Sequence, residues 1–247
     1  MKKFLNSNQL KLIAVCAMIF DHLLWVIKPG YNNGTAYLIL HTFGRIVAPI
    51  FCFFIAEGAY YTRSRKKYLS RLLIFALISH FAYCFAFGIN FIPFSTGTFF
   101  NQTSIMWSLA LGLIGIIVQD SNIKNIWKTI ITLLLCVLGF PSDWSSVAVM
   151  IVIYNYVYRN NLKKQMLIQT IFSGIYSLVY CLFIDIWYGL IQLGTILSIP
   201  LLSRYNGERE KWKGMKYFFY FIYPVHLIIC GIIRIYLHGN ISVIIGG

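Results

Sequence analysis

Charge is scarce in this chain. Only 11% of its residues are Asp, Glu, Lys or Arg, and 7 of its 247 residues are acidic. A soluble domain carries charge on about a quarter of its residues, so this chain has too little to clothe a globule of its length. Its apolar stretches lack period-two alternation, which argues against the strands of a membrane barrel. No CxxC pair occurs: Cys16, Cys52, Cys84, Cys136, Cys181 and Cys230 lie singly in apolar runs. They read as small packing residues rather than disulfides or a metal site, and no metal is expected. Internal repeats, low-complexity tracts and linkers are also missing, so residues 1–247 read as one domain. A cleavable signal peptide is not expected either. The run Gln9–Lys28 is too long for a signal core and no small-residue cleavage site follows it, so it should be retained as the first span.

What the chain has is apolar length. Hydrophobic residues make up 59% of it, and the mean hydropathy is +0.71. Lipid is the natural solvent for such a chain, and in lipid every backbone polar group must be paired internally, which leaves helices here. Charged or Gly/Pro/Asn-rich breaks divide it into about nine spans: Gln9–Lys28, Ala36–Tyr61, Tyr68–Asn90, Ser104–Gln119, Ile126–Phe140, Trp144–Tyr158, Met166–Ile184, Trp187–Ser203 and Met215–Leu237. The expected fold is an all-α, polytopic transmembrane bundle. The net charge of +14 fits orientation signals rather than nucleic-acid binding, because the cations cluster at alternate junctions. Lys2, Lys3 and Lys11 stand at the first. Arg63, Arg65, Lys66, Lys67 and Arg71 follow the second span, Lys124 and Lys128 the fourth, and Arg159, Lys163 and Lys164 the sixth. Arg204, Arg209, Lys211, Lys213 and Lys216 follow the eighth. The opposite junctions are nearly bare, which predicts a cytoplasmic N-terminus and an outer C-terminus. The outer loop Asn90–Thr103 is long and partly aromatic, and reads as a connection with an aromatic belt or as a cover for a cavity.

Ionisable groups within spans are expensive and mark function. Asp21 and His22 are adjacent in the first span; His is the usual proton-transfer group near neutral pH, and a carboxylate nearby orients it. The bland alternative is a capping pair at the interface. Arg45 lies beside Gly44 and shortly before Pro49, and either pairs with a carboxylate such as Asp21 or holds an anion. Glu57 reads as a salt-bridge partner for the Arg63–Arg71 cluster. His226, two residues after Pro224, defines a site or is a hydrogen-bonded core histidine. His41 and His80 read as satisfied structural residues, and His238 as solvated. On the residues alone, proton-transfer catalysis and proton-coupled transport both fit.

The stretches Leu10–His22, with its Asp-His pair, and Gly44–Gly58, with Gly-Arg and Glu-Gly, resemble signatures of the TraX family. So do Thr62–Ser79, Tyr205–Gly207 and Phe219–Leu227 with its Tyr-Pro-Val-His. That family comprises membrane proteins associated with pilin N-acetylation, and the resemblance covers nearly the whole chain. It departs at Asn206–Glu210, where a more basic turn is expected. The resemblance implies a multi-pass acetyltransferase of the bacterial inner membrane that uses acetyl-CoA as co-substrate. The acceptor would be an amine or hydroxyl of a peptide, a protein N-terminus or a sugar. Position by position, it implies His22 as general base oriented by Asp21, with His226 as a further catalytic group. Arg45, Glu57, Arg63, Arg65, Lys66, Lys67 and Arg71 would serve acetyl-CoA, and His226 or Arg45 the oxyanion. The rivals are a proton-coupled small-molecule transporter, for which two related halves are often seen, and a structural subunit of a membrane assembly.

Overall fold

The computed structural model describes residues 3–30, 34–95, 99–208 and 214–243. Of the residues weighed above, Lys2, Arg209, Glu210, Lys211, Lys213 and positions 96–98 of the outer loop lie outside the described residues. Among those described, the fold is all helical, with two isolated β-bridges, Leu5 to Tyr205 and Thr103 to Ser142. The helices are α1 (Ser7–Ile27), α2 (Thr35–Gly44), α3 (Val47–Tyr61), α4 (Arg65–Phe87), α5 (Ile105–Gln119), α6 (Asn125–Gly139), α7 (Ser145–Val157), α8 (Leu162–Phe183), α9 (Ile186–Ile191), α10 (Ser198–Ser203) and α11 (Met215–His238). A 3-10 stretch, Gln192–Leu197, joins α9 to α10.

Each apolar segment of the sequence falls on helix, but the lengths differ. Six stretches are long and apolar enough to cross a membrane: Ser7–Ile27, Thr35–Tyr61, Arg65–Phe87, Leu162–Phe183, Ile186–Ser203 and Tyr217–His238. Helices α5, α6 and α7 are shorter, at about 20 to 23 Å for a rise of about 1.5 Å per residue. Helices α5 and α7 are held inside the bundle by glycines. A Cβ on Gly112 would lie 2.6 Å from the Val152 Cβ, and one on Gly115 would lie 2.3 Å from the Ile153 Cδ1. Small residues of this kind let helices approach where lipid supplies no hydrophobic drive for association.

The burial pattern is inverted relative to a soluble protein. Leu77, Val137, Leu182 and Ile232 are exposed on the outer faces, while Asp21, His22, His41, Arg45 and His226 are buried. An apolar rim around a polar centre suits lipid outside and a site inside. Alternate junctions gather at opposite ends of the bundle. At the basic end Leu5 bridges to Tyr205, Arg65 reaches Asp120, and Arg159 reaches Glu57. At the other end Thr103 bridges to Ser142, and the amide of Val243 donates to the Phe87 carbonyl.

Local chemistry sets the helix ends. Asn6 and Gln9 form a capping box on α1: the Asn6 side chain accepts from the Asn8 and Gln9 amides, and the Gln9 side chain accepts from the Asn6 amide. Helix α4 stops at Gly88, which takes φ +69°; a Cβ there would also lie 2.8 Å from an Arg234 guanidinium nitrogen. Arg234 is buried and donates to the carbonyls of Phe85, Ala86 and Ile241, so it supplies the donors that the end of α4 lacks.

Two breaks position the site. Pro49 has no amide to give the Arg45 carbonyl, and the second span divides there into α2 and α3. The span Ile186–Ser203 passes from α9 through the 3-10 stretch to α10. The breaks touch: a Cβ on Gly194 would lie 2.5 Å from the Thr42 carbonyl oxygen. Irregular backbone at such depth is tolerated where protein buries it.

Candidate active site

The first span brings Asp21 and His22 to the buried side of α1, but on different bearings, since neighbouring helical positions are about 100° apart. They take different partners. The Asp21 carboxylate pairs with Arg45, and its other oxygen accepts from His41 Nδ1 at 2.7 Å. Gly44 makes this pairing possible: a Cβ there would lie 2.5 Å from the Asp21 carboxyl carbon. Arg45 also donates from Nε to the His41 carbonyl at 3.3 Å, and its Nη1 lies 3.4 Å from the Tyr188 hydroxyl and the Gln192 carboxamide oxygen. Trp25 covers His41, with ring centroids 4.7 Å apart.

His22 is oriented by His226 rather than by Asp21. Its Nδ1 lies 2.8 Å from His226 Nε2, and His226 Nδ1 lies 2.9 Å from the Ile222 carbonyl oxygen. That carbonyl only accepts, so the neutral His226 carries its proton on Nδ1 and presents a lone pair at Nε2. His22 must then donate from Nδ1, which leaves its Nε2 with the lone pair of a base. Phe87 stands edge-on to the His22 ring at 5.6 Å, and Tyr223 flanks His226 at 5.4 Å.

A cavity of about 30 Å³ opens against this cluster, lined among others by Asp21, His22, Arg45, Tyr83, Asp143 and Tyr223. Asp143 belongs to the turn between α6 and α7, outside the spans. Burial, the largest influence on it, lifts its carboxyl to about 6, and the nearby Arg45 opposes the rise. Trp144 and Ser145, which follow it, both hold positive φ, at 64° and 48°. Two such non-glycine residues in succession are strained, and strain of this kind is held where the surroundings fix it.

A second and larger cavity, of about 370 Å³, opens at the basic end. Lys11 and Arg71 stand on its lining with Phe51, Ile55 and Phe219. Lys11 Nζ lies 4.8 Å from the Phe54 ring centroid, and the buried Nε of Arg71 has no hydrogen-bond partner among the described residues. The two cavities share helix faces. On α3, Val47 lines the small cavity, while Phe51, Ile55 and Gly58 line the large one, at helical spacing. On α1, Ser7 and Lys11 line the large cavity, and Met18 and His22 the small one. The rise per residue separates Ser7 from His22 by about 22 Å along the axis.

Of the residues singled out in the sequence, Asp21, His22, Arg45 and His226 come together, and Arg71 reaches the larger cavity. Glu57, Arg63, Arg65, Lys66 and Lys67 line neither cavity. Glu57 takes Arg159 at 2.9 Å, because the turn after α7 brings Arg159 beside it. Arg65 is occupied by Asp120 at 2.7 Å and the Tyr156 hydroxyl at 2.6 Å. Arg63, Lys66 and Lys67 are exposed outside the cavity lining. His41, read as structural, is a direct partner of Asp21, and His238 reaches the Val26 carbonyl at 2.8 Å rather than standing in solvent. His80 is satisfied as expected, by Thr103 and the Phe91 carbonyl. Sequence reasoning missed Asp143; its one signal was an acidic residue in a short outer junction.

A family model described as TraX protein matches residues 6–234. Among curated proteins, the probable fimbrial assembly protein FimC, serogroup H1, of Dichelobacter nodosus is 27% identical over 230 residues, covering 90% of this chain and 93% of the relative. No solved structure matches.

Proposed function

From the premise that the chain belongs to the TraX family, we propose that it is a multi-pass acetyltransferase of the bacterial inner membrane, moving an acetyl group from acetyl-CoA to an amine or hydroxyl. In this reading its helical segments cross the bilayer nine times with the basic end in the cytoplasm. One observation carries the reading: His22 presents a lone pair at Nε2 where helix faces from the large basic-end cavity meet the small polar one.

Acetyl-CoA enters at the basic end, where Lys11 and Arg71 meet its phosphates by charge-assisted hydrogen bonds. The apolar faces of α1 and α3 guide the acyl arm toward His22. There Nε2 takes a proton from the acceptor as it attacks the thioester carbon. The new bond to carbon forms, the carbon–sulfur bond breaks, and His22 returns the proton to the leaving thiolate. Arg45 donates to the oxyanion. It suits that role better than His226, whose Nε2 is already an acceptor for His22. The acceptor is a peptide or protein amine or a sugar, and the printed name of the D. nodosus relative makes a fimbrial subunit the first to try.

The test is acetyl transfer from labelled acetyl-CoA by the purified protein in nanodiscs, to peptides, amino sugars and a membrane extract, with His22→Ala alongside. Labelling that disappears in a variant with an unchanged melting curve supports the reading. Failure of the wild type either to bind or to consume acetyl-CoA overturns it.

A further inference from the structure

One charged residue on the lining of the small cavity stands outside its ion pairs. Arg45 and Asp21 neutralise each other by direct pairing. The tautomers assigned to His22 and His226 leave both rings neutral. Asp143 is the remaining charged residue on the lining, and its carboxylate makes no ion pair among the described residues. Tyr83 and Tyr223 are the other ionisable groups facing it. An ionised Asp143 therefore places on the lining a carboxylate outside the Asp21–Arg45–His41 cluster and without an ion pair of its own among the described residues, in surroundings where an unpaired charge is costly.

The backbone holds Asp143 in that position. Its amide donates to the Thr103 carbonyl at 2.8 Å, and the Gln102 amide donates to the Pro141 carbonyl at 2.7 Å, which clamps the turn to the strand-like stretch before α5. Trp144, next in sequence, stacks on Tyr176 at 5.1 Å. The turn thus fixes a carboxylate that accepts from the Trp144 amide and makes no ion pair among the described residues. The cavity, at about 30 Å³, has room for a small polar headgroup or a water, since one water needs roughly 10–15 Å³ on this measure.

We propose that Asp143 receives the cationic amine of the acceptor and is the second proton acceptor of the site, facing His22 across the small cavity. This rests on the acetyl-transfer reading and adds to it a division of labour. An ammonium must lose two protons to become an amide nitrogen. The first goes to the Asp143 carboxylate and on to solvent, leaving a neutral amine. The second goes to His22 Nε2 during attack and from there to the thiolate. In sum, an ammonium and a thioester give an amide, a thiol and one released proton. A hydroxyl acceptor loses only one proton and has no need of Asp143.

The experiment uses the full chain in nanodiscs with two probes: a peptide with a free N-terminal glycine and the same peptide with a glycolyl group there, hydroxyl in place of the amine. Binding is read from tryptophan fluorescence in the presence of CoA, and transfer from release of free thiol. The variants are D143N and D143E. The expected result is that D143N weakens amine binding at least about tenfold, as loss of a charge-assisted contact does, leaves the hydroxyl probe unaffected, and is partly rescued by D143E. D143N is expected to fold, because an amide oxygen can still accept from the Trp144 amide and the other contacts that hold the turn do not use this side chain. Amine binding unchanged in D143N, or a wild type that does not bind the amine probe, overturns the proposal. Selective amine binding that D143N removes, without any thiol release by the wild type, would sink the transfer reading while leaving Asp143 as the cation site.

Discussion

The two cavities are built on opposite plans. The small one is crowded with groups that hold one another: Asp21 with Arg45 and His41, and His22 with His226 and the Ile222 carbonyl. The large one is an apolar trough with cations on its lining, and the Nε of Arg71 there has no hydrogen-bond partner among the described residues. A site for bond-making needs its groups fixed in orientation before substrate arrives. A site for gripping a charged, flexible ligand needs room and unspent donors. The backbone follows the same division. The break between α2 and α3 lies on the small cavity, which Gly44, Arg45 and Val47 line, while continuous helix walls the large one on α1, α3 and α4.

That contrast is open to test. The largest effect is expected from His22→Ala, which should lower transfer by about 10²- to 10⁴-fold, the usual worth of a general base, with an unchanged melting curve; a mild loss would erase the distinction between the cavities. Arg45→Ala leaves Asp21 buried without its main partner and should destabilise the fold by about 3–5 kcal/mol, read from thermal unfolding in detergent. In the large cavity, Lys11→Ala with Arg71→Ala should raise KM for acetyl-CoA about tenfold, with kcat little changed, as loss of ground-state binding does. Added salt should blunt the difference. An equal fall in kcat would mean that these cations touch the chemistry. The Asp143 carboxyl lies at about 6, so it is ionised above that pH and neutral below it. KM for an amine acceptor should accordingly rise as pH falls through about 6, an inflection that D143N removes. The smallest effect belongs to Arg65→Ala. Its pairing with Asp120 is partly exposed, and its loss should cost only about 0.2–1 kcal/mol, without altering kinetics at either cavity.

Much of the helical plan was legible in the sequence, because apolar length and interruptions by charge speak directly to lipid. The lengths of α5, α6 and α7 were less so: neighbouring helices shelter α5 and α7 and relax the demand for a full crossing, whereas α6 is short and largely exposed. Expensive polar groups announced Asp21, His22, Arg45 and His226, and Gly44 announced a close approach. Their pairing was hidden. Adjacency suggested an Asp21–His22 couple, but a helix turns adjacent side chains apart, and tertiary packing gave each a distant partner. Asp143 was hidden for another reason: an Asp beside Pro and Ser is what an ordinary turn contains.

The bond from His226 Nδ1 to the Ile222 carbonyl has a consequence for proton traffic. The carbonyl has no proton to give and no second nitrogen to pass one to, so the imidazole pair ends in a wall. A proton that arrives at His22 Nε2 leaves by the same atom. A relay that handed protons through this pair from one side of the bundle to the other would need it open at both ends. A blind alley suits a different task, lending a single charge back and forth across one face of a ring while two substrates meet there.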